Sequence, residues 1–485
     1  MPQTVLSRRQ LVTAAGVAPF APRERRPNIL FILPDQMRAQ AAGCMGNAEV
    51  RTPEIDRLAS QGLLFRNTVA NTPVCCPARA ILMTGQYCHT NGMVANDLRL
   101  RESRNTIAKV LRGEGYRTGF IGKWHLDGGP RLPGFVPPGP RRQGFEFWAA
   151  NECSHAHFNT QYFRDSPEPV PVKKFEVEAW TDAGLGFLRE SAKDGRPFFL
   201  SIFMGPPHDP YGAPEKYMRM YDPARLTMRP NWKAAGRAPG PKEIAAYYAA
   251  ITAIDDQVGR MTAALEELGM AEDTIVLFSS DHGDMLGSHG LRLKRKPWEE
   301  SIRVPGILRY SRRVKAGRTE DAFFSHADFP PTLLGLCGAR VPKEMQGADL
   351  SRLVTGDSRQ GPDSAFFQIF GPYQGDGTPD GWRGVRTRRH MYARFRNKPW
   401  VLYDLDRDPY QMDNLAGDPA AASLVKEMDQ RIEAWMRRTG DSWDYNWSEP
   451  VEDQGRLYRT RTFYTVQEYL KTGDSTLNAP FPGPT

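Results

Sequence analysis

The sequence predicts an α/β protein: a mainly parallel central sheet sandwiched by helices, followed by a smaller C-terminal α+β subdomain. Three features lead there. Asn28-Ile29-Leu30-Phe31-Ile32-Leu33, residues 197–204 and residues 274–279 are short continuous apolar runs, the pattern of strands buried on both faces. Segments of helical period separate them, as in sheets built from crossover units. After a Gly, Pro and Asp cluster around 360–380, residues 382–387, 390–393 and 400–405 alternate like antiparallel strands.

In order along the chain, Ser7-Arg8-Arg9-Gln10-Leu11-Val12 opens a short apolar stretch reaching about Ala21. A charged head and an apolar region too short to span a bilayer have signal-peptide form, and the paired arginines resemble a twin-arginine export signal. The expected location is the periplasm or outside the cell. No other segment could cross a membrane. The first strand ends at Pro34-Asp35-Gln36. Thr52, Pro53 and Gly62 suit the cap, first position and end of a compact helix, and residues 63–65 read as a strand.

Next comes Cys75-Cys76-Pro77-Ala78-Arg79, running into Ala80-Ile81-Leu82-Met83-Thr84-Gly85. Pro77 fits a first helical turn and Gly85 a helix end, so Cys75 falls near a helix N-terminus. Free N–H groups make such a place an anion site, and Arg79 adds a planar cation one turn on. A lone cysteine here would read as structural. A helix over 105–114 and a strand over 116–121 lead to Gly122-Lys123-Trp124-His125-Leu126. Residues 127–174, rich in Gly, Pro and aromatics, read as a long loop region, with His155 and His157 as ordinary loop histidines. A helix over 177–192 precedes the strand that ends before His208. The longest helix, 242–268, carries Asp255 and Asp256 as solvated or capping groups. The strand over 274–279 ends in Ser280-Asp281-His282-Gly283-Asp284, with Lys294 and Arg303-Val304-Pro305 beyond it. Ser325-His326-Ala327-Asp328 starts a structural helix, and a last helix runs to about Arg438.

The chain has 485 residues, 25% of them charged, and a net charge of +8 without a dense basic run. That diffuse field suits an anionic substrate and excludes a nucleic-acid module. The six cysteines have no zinc or disulfide spacing, and adjacent Cys75 and Cys76 are poorly placed to pair.

Cys-x-Pro-x-Arg followed by Thr-Gly resembles the signature of the type I sulfatases. Gly-Lys-Trp-His-Leu resembles the second signature of that family, Pro207-His208-Asp209-Pro210 its Pro-His-x-Pro element, and the segments around Asp35 and 281–305 its metal and closing elements. The resemblance runs from about Pro27 to Leu415 with its motifs in order, and it implies an alkaline-phosphatase-like fold. Gln36 and His282 replace residues common in the family. They match the branch resembling choline sulfatases and phosphonate monoester hydrolases.

The resemblance implies a sulfate ester substrate, of a sulfated carbohydrate or small alcohol. It implies oxidation of Cys75 to formylglycine by a maturase, and one divalent cation held by Asp35, Gln36, residue 75, Asp281 and His282. Ca2+ is favoured, with Mg2+ or Mn2+ as alternatives. It places Arg79, Lys123, His125, His208 and Lys294 in catalysis and Asn96 at the transferred group. The implied divisions are 1–26 (export signal and linker), 27–370 (catalytic domain), 371–440 (antiparallel-sheet subdomain) and 441–485 (extension). The rival readings are a phosphonate or phosphate monoester hydrolase on the same scaffold, and a non-catalytic glycan-binding protein with unmodified Cys75.

Overall fold

The computed structural model describes residues 26–128, 133–371, 381–446 and 449–458. The expected export signal and the end of the C-terminal extension lie outside the described residues. Eight strands form the main sheet: β1 (Asn28–Pro34), β2 (Leu63–Val69), β3 (Arg117–Lys123), β4 (Phe147–Asn151), β5 (Phe198–Met204), β6 (Thr274–Ser279), β7 (Gly306–Arg309) and β8 (Arg318–Ser325). Their order is β8-β2-β7-β6-β1-β5-β3-β4. All neighbours are parallel except β7, which runs against β6 and β2. This is the mostly parallel sheet that the apolar runs predict.

Side chains on β1 alternate between two cores. Ile29, Phe31 and Leu33 point into one, while Leu30 and Ile32 point into the other. Both faces are therefore covered, which is why the run lacks polar positions. The helix α1 (Cys75–Thr84) packs in the first core and is buried along its whole length. The long helices α2 (Glu176–Asp194) and α3 (Pro241–Glu267) cover the second face.

A second sheet, with strands Ser364–Ile369, Trp382–Thr387, His390–Phe395 and Lys398–Asp404 in sequential antiparallel order, packs with the helix Ala422–Thr439 against the first core. The hairpin Val451–Asp453 and Arg456–Tyr458 lies on residues 102–103 through Ser103–Asp453 and Arg456–Glu102 contacts. Among the described residues no helix is long and apolar enough to cross a membrane.

Two expectations are corrected. Residues 127–174 are not wholly loop: β4 pairs in parallel with β3 from Gly119↔Phe147 to Lys123↔Asn151, and Thr160–Tyr162 pairs with Val170–Val172. The β4 run is aromatic because its side chains fill gaps on both faces. Trp148 lies 5.3 Å from Phe120 and Phe147 lies 5.2 Å from Phe187. The helix Pro53–Ser60 is not capped by the side chain of Thr52, whose hydroxyl instead accepts from the Gly43 N–H at 2.8 Å. Asp255 does the capping from α3, accepting from the N–H groups of Ile55 and Glu54 at 2.7 and 3.1 Å. That carboxylate is buried rather than solvated.

Candidate active site

The register sets the carboxyl ends of the central strands level. Leu33 stands opposite Phe203, Phe203 opposite Gly122, and Ile32 opposite Phe278. The residues just beyond those ends, Asp35, Lys123, His208 and Asp281, therefore meet at one edge, where open α/β sheets carry their sites. Gly122 has φ +97°, and a Cβ there would lie 2.0 Å from the Phe203 carbonyl oxygen. Only glycine allows the two strands to close up in front of Lys123.

Cys75, at the start of α1, is buried with its Sγ 3.2 Å from His282 Nε2 and 3.9 Å from Asp35 Oδ1. Donor atoms of Asp35, Cys75, Asp281 and His282 all lie within 4.8 Å of one another. Each carboxylate meets Arg79 through one oxygen. Arg79 Nη2 reaches Asp35 Oδ2 at 3.0 Å, and its Nε reaches Asp281 Oδ2 at 3.2 Å. Lys123 Nζ donates to the same Asp35 oxygen at 2.8 Å. The other oxygens face His282 Nε2, at 3.5 and 3.7 Å. His282 Nδ1 lies 3.0 Å from the Gly283 carbonyl, which can only accept. The Nδ1–H therefore donates there, and Nε2 presents its lone pair to the cluster. Two carboxylate oxygens, an imidazole lone pair and residue 75 fit a small divalent cation with an oxygen-rich shell.

Electrostatics sharpen the picture. Burial and the nearby Cys75 oppose ionisation of Asp35, yet Lys123 and Arg79 hold it well below the usual carboxylate range. Burial and the Asp35 charge push Asp281 up. Burial also opposes a Cys75 thiolate, but Lys294 and Lys123 outweigh it and pull that thiol well down.

Gln36 turns its amide oxygen to Lys294 Nζ at 2.5 Å and its amide nitrogen to Asp284 at 2.7 Å. The oxygen expected to face a metal thus meets a lysine. Lys294 Nζ lies 2.8 Å from His208 Nε2, and His208 Nδ1 lies 2.7 Å from the Asp209 carbonyl. His208 is therefore held with its Nδ1–H donating outward and Nε2 accepting from the lysine. Asn96 Oδ1 accepts from the Cys76 N–H at 3.0 Å. His125 Nε2 lies 3.3 Å from Asp97 Oδ1.

Several neighbours have no site role in the sequence reading, and His155 and His157, read there as ordinary loop histidines, lie against the site. Asp284 also accepts from Tyr211 at 2.7 Å. His155 stacks on His208 at 4.5 Å and stands 3.5 Å from Lys123 Nζ. Burial, with Lys123 and His208 beside it, keeps the His155 ring neutral. His157 bridges Glu176 and the His208 carbonyl, at 2.8 and 2.7 Å. Tyr211 and Asp284 lie within a few positions of motif residues, whereas His155 and His157 carry only the signal of histidines in the long 127–174 region.

A buried anion-seeking edge with two carboxylates and several cations is what hydrolysis of a charged ester requires, and comparison with known proteins agrees. Residues 27–339 match the family model Sulfatase, and residues 287–438 match the C-terminal region of N-sulphoglucosamine sulphohydrolase. The Ulvan-active sulfatase of Formosa agariphila is 38% identical over 423 residues, covering 86% of this chain and 82% of that one. The crystal structure of yidJ from Bacteroides fragilis superposes with a TM-score of 0.79 at 30% identity, over 88% of this chain and 99% of the other. BT4656, in complex with its substrate D-glucosamine-2-N,6-O-disulfate, gives a TM-score of 0.77 at 25% identity, over 86% and 99%. The fold, the strand-end site and the match across most of the chain together make it an enzyme of the type I sulfatase family, within the alkaline phosphatase superfamily.

Proposed function

We propose that this sulfatase hydrolyses a sulfate ester of a carbohydrate, using Cys75 oxidised to formylglycine by a maturase. The observation that carries the reading is the convergence of Cys75, Asp35, Asp281, His282, Arg79, Lys123, His208 and Lys294 at one buried edge. The Formosa relative's name and the BT4656 substrate support a glycan.

As a hydrated aldehyde, residue 75 would supply one hydroxyl for in-line attack on sulfur and a second to release the sulfate. A divalent cation held by Asp35, Asp281, His282 and residue 75 would offset sulfate charge; Ca2+ is favoured, with Mg2+ or Mn2+ as alternatives. Gln36, expected in the same ligand set, instead turns its amide oxygen to Lys294 and serves to hold that lysine. Arg79 fixes both carboxylates and adds positive potential. Lys123 sits beside Asp35 and faces the sulfate oxygens. Lys294 holds a proton on Nζ between Gln36 and His208, in place to protonate the departing alcohol oxygen. His125 takes the proton from the second hydroxyl, and Asn96 lines the transferred group. We place the enzyme in the periplasm or outside the cell, exported through the Arg8-Arg9 signal.

The test is release of inorganic sulfate from a panel of sulfated oligosaccharides by protein expressed with a maturase. Gln36 and His282 also suit a phosphonate or phosphate monoester hydrolase. Faster turnover of an aryl phosphonate ester than of any sulfate ester would overturn the sulfate reading.

A further inference from the structure

Beyond the residues assigned above, Asp97 stands out. It lies on the segment after Met93 and Val94, and its backbone is in the left-handed region at φ +63°. His125, which it faces, is left-handed too, at φ +57°. Asp and His enter this region more readily than most residues, yet two such residues in mutual contact beside a nucleophile is an arrangement that surrounding structure must enforce. Here it does so. The His125 N–H donates to the Glu152 carbonyl at 2.6 Å, which ties the turn after β3 to the end of β4. The Asp97 N–H donates to Cys76 Sγ at 3.3 Å, and Asn96 accepts from the Cys76 N–H at 3.0 Å. The Asn96-Asp97 turn is thus clamped to the residue that follows Cys75.

The imidazole is aimed by this frame. His125 Nε2 is 3.3 Å from Asp97 Oδ1. A carboxylate oxygen only accepts, so the Nε2 position carries the proton and donates. His125 is 2% exposed, and among the described residues its Nδ1 has no hydrogen-bond partner. The ring lies beside the Cys75, Cys76 and Cys153 thiols. A buried imidazole nitrogen with a free lone pair costs free energy unless something arrives to use it.

We infer that Asp97 is a positioning residue for His125: it fixes the tautomer with hydrogen on Nε2 and leaves Nδ1 as the acceptor turned toward residue 75. The step served is a proton transfer. Nδ1 accepts the proton of the hydroxyl on residue 75, the O–H electron pair returns to that oxygen, and imidazolium is formed with Asp97 as its counter-charge. Without Asp97 the ring can protonate on Nδ1 instead or rotate, and the acceptor is lost. This inference rests on the reading of His125 given above, and the following experiment separates the two.

The experiment is a double-mutant cycle on the full-length, matured enzyme with 4-nitrophenyl sulfate, with formylglycine content checked by mass spectrometry in each variant. His125→Ala should lower kcat by about 100-fold or more, the usual reach of a general base. Asp97→Ala should lower kcat about 10- to 100-fold with KM little changed, as loss of an orienting partner does. Asp97→Asn, which loses the counter-charge and can turn its NH2 to the ring, should also lower kcat at least about 10-fold with KM little changed, whereas Asp97→Glu, which keeps a carboxylate, should recover part of the loss. In the His125→Ala background, Asp97→Ala should cost nothing further, because it acts through the ring. If Asp97→Ala does not fold, Asp97→Gly removes the carboxylate and relieves the positive φ. An equal loss from Asp97 removal in both backgrounds overturns the positioning role while leaving His125 in place. Wild-type kcat in His125→Ala overturns the role of His125, and this inference with it.

Discussion

Arg79 is the buried hinge of the site, and replacing it tests the electrostatic argument most directly. The guanidinium is fully buried, lies 3.0 Å from Asp35 and 3.1 Å from Asp281, donates to the Lys123 carbonyl and sits 5.3 Å above the Phe203 ring. Arg79→Leu fills similar space but strands two carboxylates in the interior. Breaking a buried pair by removing one partner costs about 3–5 kcal/mol. At ~2.1 cal/mol/K per residue, a chain of this length has an unfolding entropy of about 1 kcal/mol/K. The expected loss is therefore about 3–5 °C in Tm by differential scanning fluorimetry, measured with a chelator present. Arg79→Lys should fall between, because a point charge cannot reach three acceptors held in a fork. Turnover of an aryl sulfate should drop at least about 100-fold in both, as loss of a preorganised charge contact does. A Tm within 1 °C of wild type for Arg79→Leu, together with retained turnover, would refute the claim that this cation holds the carboxylates in place (about 1 kcal/mol at most is then at stake).

Four further outcomes follow from the same structure. The tryptic peptide ending at Arg79 should carry an aldehyde at residue 75 and a thiol at residue 76, and Cys75→Ser should lose multiple turnover; full turnover by protein with wholly unmodified Cys75 would overturn the mechanism. Asp281→Ala should abolish the rise in Tm on adding Ca2+, which at 100-fold over Kd is worth about 2.7 kcal/mol; unchanged metal content in this variant would remove Asp281 from the ligand set. Burial pushes Asp255 up to about 7, against the donations from Ile55 and Glu54. Its folded-state pKa lies above its unfolded value, so its contribution is present at low pH and fades as pH rises through about 7. Asp255→Asn should therefore flatten the decline in Tm between pH 5 and 8, and an unchanged pH slope would show that Asp255 does not titrate there. Arg8→Lys with Arg9→Lys should hold the protein in the cytoplasm of a host with twin-arginine transport, and its appearance in the periplasm would exclude that route.

The chemistry-bearing residues were legible because they sit in short runs at strand ends. An apolar run followed by a polar residue, as at Leu33 to Asp35 or Ser279 to Asp281, marks the place where a buried strand emerges. Local pattern also sufficed for the helix that begins at Cys75, since Pro77 and Gly85 punctuate it. The loop expectation at 127–174 failed for the converse reason. The strand Phe147–Asn151 has no alternation and no aliphatic run, and only its pairing with β3 and its contacts with Phe120 and Phe187 define it.

What the sequence alone determined is the order of motifs, hence the family, the α/β sheet and the residue types available for the reaction. Those properties are carried by residues within a few positions of one another. Only the tertiary structure decided which atoms meet. Gln36 turns to Lys294 and Asp284, some 258 and 248 residues away. Asp255 caps a helix 200 residues before it. Asp97 meets His125 across the end of β3. Such contacts are set by strand order and register. Those are products of packing two cores against one sheet, and neighbouring residues along the chain hold no record of them.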